Sequence, residues 1–206
     1  MVRRFFFAWR IESRRTLEFV GRFVVTFEFM DEELKQGLLR AILCAKVYPI
    51  ARETPLDFAS KLSERLGNDI FLKREDLQPV FSFKLRGAFN KIANVDDAQR
   101  ALGVVAASAG NHAQGVAMSA AHFKIPAFIF MPVTTPEIKV RAVASLGADV
   151  QLVGADFDET SAFAERFARE TNRTYVHPFD DLHVIAGQGT VATEIARQMD
   201  GELDAV

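Results

Sequence analysis

Cysteine is almost absent from this sequence, since Cys44 is the only one among 206 residues. A single thiol excludes an intramolecular disulfide and any metal site built from several cysteines. A chain without disulfides is typical of a reducing compartment, so we expect a cytoplasmic protein.

Excess charge and long apolar runs are lacking as well. The formal net charge is −2, which provides no basic field for nucleic acid. Arginines interrupt the apolar stretches near the N-terminus before any of them reaches the length of a transmembrane helix. We therefore expect neither a nucleic-acid nor a membrane partner. The G-x-S-x-G and Walker A patterns are absent too, so the sequence indicates neither the serine-hydrolase nor the P-loop chemistry.

Residues 1–29 differ in composition from the rest of the chain. They hold six Arg, no Lys, three Glu and seven of the 19 Phe. A segment rich in Arg and poor in acid is typical of a mitochondrial presequence, but we favour a non-native extension. We expect Met30 to be the natural first residue, because the acidic Asp31–Glu33 after it suits a helix N-terminus.

Short apolar strands and amphipathic helices alternate from Met30 onward. Strand centres recur about every 22 to 25 residues, each followed by a helix. This spacing predicts a doubly wound parallel α/β sheet, with an α/β subdomain at about 103–180. Further predicted features are a helix over 83–93 with Ser82 as N-cap, a helix capped by Thr135, a final helix over about 184–199 and a strand opening at 203–206.

Lys84 lies where a charged amine is disfavoured. It stands between Phe83 and Leu85 in the first turn of a predicted helix, where the helix dipole and apolar neighbours both oppose the ammonium form. A lysine in such a place is a candidate nucleophile that forms a Schiff base with a carbonyl. The alternative is an ordinary lysine that points into water.

The loop Ser108–His112 follows a predicted strand, at the strand end where ligands bind in open α/β sheets. It offers a hydroxyl, a glycine, an amide, an imidazole and the outward N–H groups of a helix start. A substrate carboxylate would suit this loop, and an ordinary polar turn is the alternative.

Two other patterns favour structural roles. Gly187 and Gly189 fit G-x-G-x-x-A, but no adequate strand precedes them, so helix packing is favoured over dinucleotide binding. A metal cluster could form where two histidines and two aspartates lie close in sequence. Nothing fixes these four on one face, so we expect a solvated loop and no metal. They are His177, Asp180, Asp181 and His183.

Several motifs together resemble a known family. The segment Lys73–Ala88 is similar to the cofactor-lysine segment of threonine dehydratases (threonine ammonia-lyases). These are fold type II, tryptophan synthase β-like, pyridoxal-phosphate enzymes. Ala107–Gly115 resembles the family's carboxylate and cofactor loop, and His177–Asp181 and Val184–Thr190 match in order and spacing. The resemblance covers about 30–206 and points to the biosynthetic branch, which feeds isoleucine synthesis. Serine dehydratase and serine racemase are close relatives.

The resemblance implies pyridoxal 5'-phosphate as cofactor, bound covalently by Lys84 with Phe83 and Asn111 as further contacts. It implies β-elimination of L-threonine to 2-oxobutanoate and ammonia, with the freed Lys84 amine taking the Cα proton. A serine-specific relative and a non-catalytic nucleotide-binding α/β module remain the alternatives. The implied contacts of the substrate carboxylate are Ser108, Ala109, Gly110 and His112.

The resemblance further implies that 30–206 is the N-terminal part of a catalytic domain. The family's glycine-rich phosphate loop would follow a strand that begins at Leu203. We therefore expect these 206 residues alone to bind the cofactor weakly and to have little activity. The full-length enzyme is expected to be a homo-oligomer.

Overall fold

A computed structural model describes residues 31–201 and 203–206, so the predictions made for 1–29 and for Met30 lie outside the described residues. None of the described helices is long and apolar enough to cross a membrane. In chain order the elements are α1 (Glu32–Leu43), β1 (Leu56–Phe58), α2 (Ser60–Leu66), β2 (Phe71–Lys73), a 3-10 turn (Glu75–Leu77), α3 (Lys84–Ala93), α4 (Asp97–Ala101), β3 (Val104–Ala107), α5 (Asn111–Phe123), β4 (Ala127–Met131), α6 (Glu137–Ala144), β5 (Asp149–Leu152), α7 (Phe157–Glu170), β6 (Thr174–Tyr175) and α8 (Leu182–Gln198).

A four-stranded parallel sheet in the order β5-β4-β3-β6 forms the centre of the fold. Successive side chains of a strand point to opposite faces, and β3 is buried on both. Val104 and Ala106 belong to one apolar core, whereas Val105 and Ala107 belong to a second. Helices cover each face, so the predicted doubly wound α/β sheet is confirmed. The subdomain boundary at about 103–180 encloses these strands and stays a prediction.

The two cores differ in the side chains that fill them. One face carries α5, with α3, α6 and α8 contributing to the same cluster of small aliphatic residues. The other face carries α7 and is largely aromatic. Phe130 of β4 lies 5.0 Å from the Phe163 ring and 5.1 Å from the Phe167 ring, both edge-on. Small residues under α5 let that helix pack close to the sheet. This short distance between helix and sheet sets the position of the loop that precedes α5.

An antiparallel pair of short strands, β1 and β2, precedes the sheet, with α2 between the two strands in the chain. This pair was not fully predicted. Each strand has three residues, and two of the three are exposed in each: Asp57 and Phe58 in β1, and Phe71 and Leu72 in β2. The rings of Phe58 and Phe71 pack 5.3 Å apart across the pair. Three residues are too few for a reliable period-two pattern. Helices α2 and α4, with seven and five residues, are likewise too short for a recognisable helical period and were missed.

Three predicted boundaries are wrong in detail. Phe83, not Ser82, occupies the cap position of α3, although the Ser82 hydroxyl accepts from the Lys84 N–H at 3.2 Å. Pro136 occupies the cap of α6 in place of Thr135, because its ψ of 138° is extended and the helix can begin only at the next residue. Helix α8 begins at Leu182, two residues early, because Asp181 accepts from two N–H groups of its first turn.

The strand predicted at 203–206 does not form. These residues have no regular structure, and none of them pairs with a strand in the part of the chain that the structure describes. A strand is held by its ladder, so a favourable sequence alone does not produce one.

Helix α3 is held between α5 and α8 by glycines at the crossing points. A side chain at Gly115 would lie 3.2 Å from the backbone of Lys84 and Leu85, so α5 passes directly against the start of α3. Gly187 and Gly189 lie inside α8, where they meet α3 and Ile42. They are not in a strand-to-helix turn. The helix-packing interpretation is therefore confirmed.

We expect Gly187→Ala to lower the free energy of unfolding by about 1–3 kcal/mol, because a new methyl group must be forced between packed helices. The added carbon would lie 2.5 Å from the Arg86 carbonyl oxygen and 2.8 Å from Asn90 Cβ. Urea unfolding measures the change. Gly37→Ala is the matched control: it also lies within a helix, has no atom within 4 Å of the added carbon, and should gain up to about 1 kcal/mol. Equal effects of the two substitutions would contradict the packing account.

Candidate active site

Lys84 is the first residue of α3 and is half-buried. Its Nζ donates to the carbonyl oxygen of Pro178 at 2.8 Å and lies 5.3 Å from the centre of the Phe83 ring. Burial lowers the pKa of the Lys84 amine below the ordinary lysine value. The acceptor is a neutral carbonyl. The amine can therefore lose its proton and act as a nucleophile or base more readily than a surface lysine.

The loop after β3 leads directly into α5. The Ser108 hydroxyl accepts from the Gly110 N–H at 3.2 Å, and α5 begins at the exposed Asn111. Among the described residues, no side chain caps this helix start, and the space above Gly110 is open to at least 4 Å. The start of α5 thus has no side-chain cap among the described residues and has free space beside Gly110, two conditions that an anion site at a helix N-terminus requires. The predicted roles of Ser108, Ala109, Gly110 and Asn111 stay predictions.

The His112 side chain turns away from this open space. Only 3% of the residue is exposed, and Nε2 donates to the Val176 carbonyl at 2.8 Å. The other ring nitrogen, Nδ1, is buried with no partner within the described residues. Burial lowers the pKa of His112 to about 4, and the nearby charge of Lys84 acts in the same direction. The ring is thus neutral and turned away from the loop, so a carboxylate contact at His112 could come only from its backbone N–H and stays a prediction.

The segment after β6 completes the site, because β6 lies beside β3 in the sheet. The Val176 N–H donates to Val105 at 2.8 Å, which fixes this segment to the sheet. Two carbonyls of the segment then accept from the two helix starts: Val176 from His112, and Pro178 from Lys84. The lysine and the loop after β3 are thereby joined at the carboxyl ends of the strands. From its residues alone this segment was expected to be a solvated loop, and only the family resemblance drew attention to 177–181.

Two of the four residues considered as a metal cluster bind other groups of the protein through their side chains. Asp181 caps α8 and forms an ion pair with Lys91. His177 Nδ1 accepts from the N–H groups of Phe179 and Asp180. Within the described ranges, no group of three or more His, Cys, Asp or Glu side chains could hold a metal ion.

A buried charge cluster lies behind Lys84 and was not anticipated. Arg86 is fully buried and binds both oxygens of Glu75, at 2.7 and 2.8 Å. It also donates to Glu194 of α8 at 2.6 Å, and Lys73 pairs with the same carboxylate at 2.7 Å. Burial opposes the charged form of Glu194, but the hydrogen bonds from Arg86 and Lys73 hold its pKa below the ordinary value. The cluster anchors α3 two residues from Lys84. In the sequence, the only indication of this cluster is the number of charged residues within the segment 73–86.

Comparison with known proteins identifies the family. A family model described as "Pyridoxal-phosphate dependent enzyme" matches residues 47–206, which include the whole site. The chain belongs to this family. Its relatives include a biosynthetic threonine dehydratase of Solanum lycopersicum, 55% identical over 82% of the chain and 28% of the relative. A biosynthetic L-threonine dehydratase of Pasteurella multocida is 56% identical over 78% of the chain and 31% of the relative.

Solved structures of this family have the same fold. The processed form of threonine deaminase isoform 2 from Solanum lycopersicum superposes with a TM-score of 0.79 at 49% identity, covering 82% of the chain and 47% of the neighbour. Maize serine racemase superposes with a TM-score of 0.73 at 33% identity, covering 79% and 49%. The predicted fold type II architecture is therefore confirmed. The chain spans about 30% of the length of the sequence relatives that it matches.

The residues of the site fit the aldehyde end of pyridoxal phosphate. A half-buried amine of lowered pKa is the group that condenses with an aldehyde, and Lys84 is such an amine. The open helix start at Asn111 lies close by, because α5 crosses the start of α3.

We expect stability to fall between pH 6.5 and pH 4 because of His112. The unfolded chain takes up a proton near the ordinary value of 6.5, whereas the folded ring does so only near 4. Acid therefore favours the unfolded state across this window, by about 3 kcal/mol at its lower end. Urea unfolding at several pH values measures this loss. His112→Gln keeps a donor for the Val176 carbonyl and should reduce the pH dependence. An unchanged pH dependence in that variant would contradict the assignment.

Proposed function

We propose that this chain carries the lysine and substrate-carboxylate part of a pyridoxal-phosphate-dependent L-threonine ammonia-lyase. The observation that carries the proposal is the half-buried Lys84 amine, bound to a neutral carbonyl beside an open helix start. The relatives named threonine dehydratases support the substrate, since they are 55–56% identical to this chain. The overall reaction converts L-threonine to 2-oxobutanoate and ammonia.

Each part of the site has a distinct task in this proposal. The cofactor, when bound, supplies an electron sink for the charge that develops at the substrate Cα. Lys84 Nζ binds the cofactor covalently and, once free, takes the Cα proton. The Pro178 carbonyl holds the free amine in place. Ser108, Ala109, Gly110 and the backbone N–H of His112 bind the substrate carboxylate at the start of α5. The Asn111 amide orients the cofactor ring. His112 stays neutral and ties α5 to the segment after β6.

The alternatives have less support. Serine racemases share the fold but are 30–33% identical to this chain, well below the threonine dehydratases. The nucleotide-binding module lacks its key feature, because Gly187 and Gly189 lie inside α8 and are covered by neighbouring helices. Threonine is therefore the proposed substrate, in the step that feeds isoleucine synthesis.

We also propose a cytoplasmic location and a homo-oligomeric full-length enzyme. The single cysteine, Cys44, supports a reducing environment. Size-exclusion chromatography with light scattering tests the assembly state.

We expect pyridoxal phosphate to form an adduct on Lys84 that borohydride reduces to a stable, mass-tagged lysine. The protein is incubated with cofactor, reduced and digested, and the modified peptide is identified by mass spectrometry. Lys84→Ala should remove the adduct and the visible absorption band of the bound cofactor. Lys139→Ala, at an exposed position on α6, should leave both unchanged. An adduct of equal yield in Lys84→Ala would contradict the proposal.

The substrate is tested with the same substitutions in the full-length enzyme, because little activity is expected of these 206 residues alone. With L-threonine, turnover should give 2-oxobutanoate faster than L-serine gives pyruvate, and Lys84→Ala should abolish both. Faster turnover of serine, or its racemisation, would favour the serine-specific alternative. The trapped adduct requires no turnover, so it tests the lysine independently of the rate of the full reaction.

A further inference from the structure

The imidazole of His177 closes a tight turn at the end of β6. Its Nδ1 accepts from the Asp180 N–H at 2.7 Å and from the Phe179 N–H at 3.3 Å. A ring nitrogen that accepts carries no proton, so the proton of the neutral ring is on Nε2. Asn and Asp side chains commonly close turns in this way, by accepting from backbone N–H groups two or three residues further on.

This turn presents the carbonyl that binds Lys84. Pro178 is the second residue of the turn, is buried, and accepts from Lys84 Nζ at 2.8 Å. The preceding Val176 is fixed to β3 and to His112, and the following Asp181 is fixed as the cap of α8. Between these two anchors, His177 supplies the side-chain bonds that set the direction of the Pro178 carbonyl.

We propose that His177 is a positioning residue, which holds the Lys84 amine through the turn that presents the Pro178 carbonyl. The inference deepens the proposed function and rests on it, because it concerns the lysine that binds the cofactor. It assigns a task to a residue that the sequence analysis placed in a solvated loop and in a segment that resembles the family, without a role of its own. The turn requires a neutral ring, because a protonated Nδ1 cannot accept from the two N–H groups.

The charges that act on His177 come from α3, from α7 and from its own loop. Burial lowers the pKa of His177, and the charge of Lys84 on α3 acts in the same direction. Glu165 on α7 and the two loop carboxylates oppose this shift, and His112 on α5 lies near enough to interact. The loop carboxylates are Asp180 and Asp181. The net effect keeps the ring neutral at neutral pH and lets it take a proton below the ordinary histidine value.

The test compares the rate constant for trapped adduct formation on Lys84 in three proteins. His177→Ala removes the acceptor, so we expect the rate constant to fall about tenfold as the amine loses its fixed position. His177→Asn restores an oxygen acceptor at the same place in the turn and should rescue the rate to within about twofold of wild type. Hydrogen exchange of the Phe179 and Asp180 amides should follow the same order, with the fastest exchange in His177→Ala.

The pH profile separates positioning from a general loss of stability. The rate constant of wild type is divided by that of His177→Asn at each pH. A proton on His177 repels the Lys84 ammonium and by itself would raise this ratio, so only the loss of the turn can lower it. We expect this ratio to fall as the pH decreases through the His177 titration, because only the wild-type turn depends on a titrating group. If His177→Ala does not fold, as judged by circular dichroism, this ratio alone decides.

Each remaining outcome has a definite meaning. An adduct rate in folded His177→Ala equal to wild type would overturn the inference, as would equal losses in the alanine and asparagine variants. A ratio that does not change with pH would overturn it too. Absence of an adduct on Lys84 in the wild-type protein would instead overturn the proposed function, so the two failures are distinguishable.

Discussion

The buried guanidinium of Arg86 is the interaction on which the candidate site depends. Two carboxylates from distant parts of the chain, Glu75 and Glu194, bind it with no exposed surface on the arginine. Removal of one member of such a buried pair typically costs about 3–5 kcal/mol, because it leaves an uncompensated charge. The same guanidinium therefore fixes α3 against α8 and against the segment before α3. The start of α3, where Lys84 lies, is defined by these contacts.

The chemistry of Lys84 depends on a second feature, the neutral charge of the group that accepts its hydrogen bond. The charged groups of this region are paired with one another behind the helix, and the acceptor of the amine is the carbonyl of Pro178. A carboxylate in that position would stabilise the ammonium and raise its pKa, whereas burial beside a neutral acceptor lowers it. The fold thus provides a strong structural ion cluster and a weakly stabilised lysine within two residues of each other.

The sequence predicted those features that depend on local pattern. The regular spacing of apolar strands was enough for the parallel sheet, and the apolar neighbours of Lys84 were enough to single it out. The partners of Arg86 could not be predicted, because they lie 11 and 108 residues away. The orientation of His112 was missed for the same reason, since its acceptor, Val176, lies 64 residues further on, just after β6, and only the sheet order brings it near.

A measurement of the Lys84 pKa in the cofactor-free protein decides whether the fold makes this lysine a reactive amine. Competitive acetylation over a range of pH, with each lysine quantified by peptide mass spectrometry, gives the midpoint at which Lys84 becomes reactive. The account predicts a midpoint below the ordinary lysine value of about 10.4, because the amine is half-buried beside a neutral acceptor. A midpoint at or above that value would contradict it, because Lys84 would then be an ordinary charged lysine.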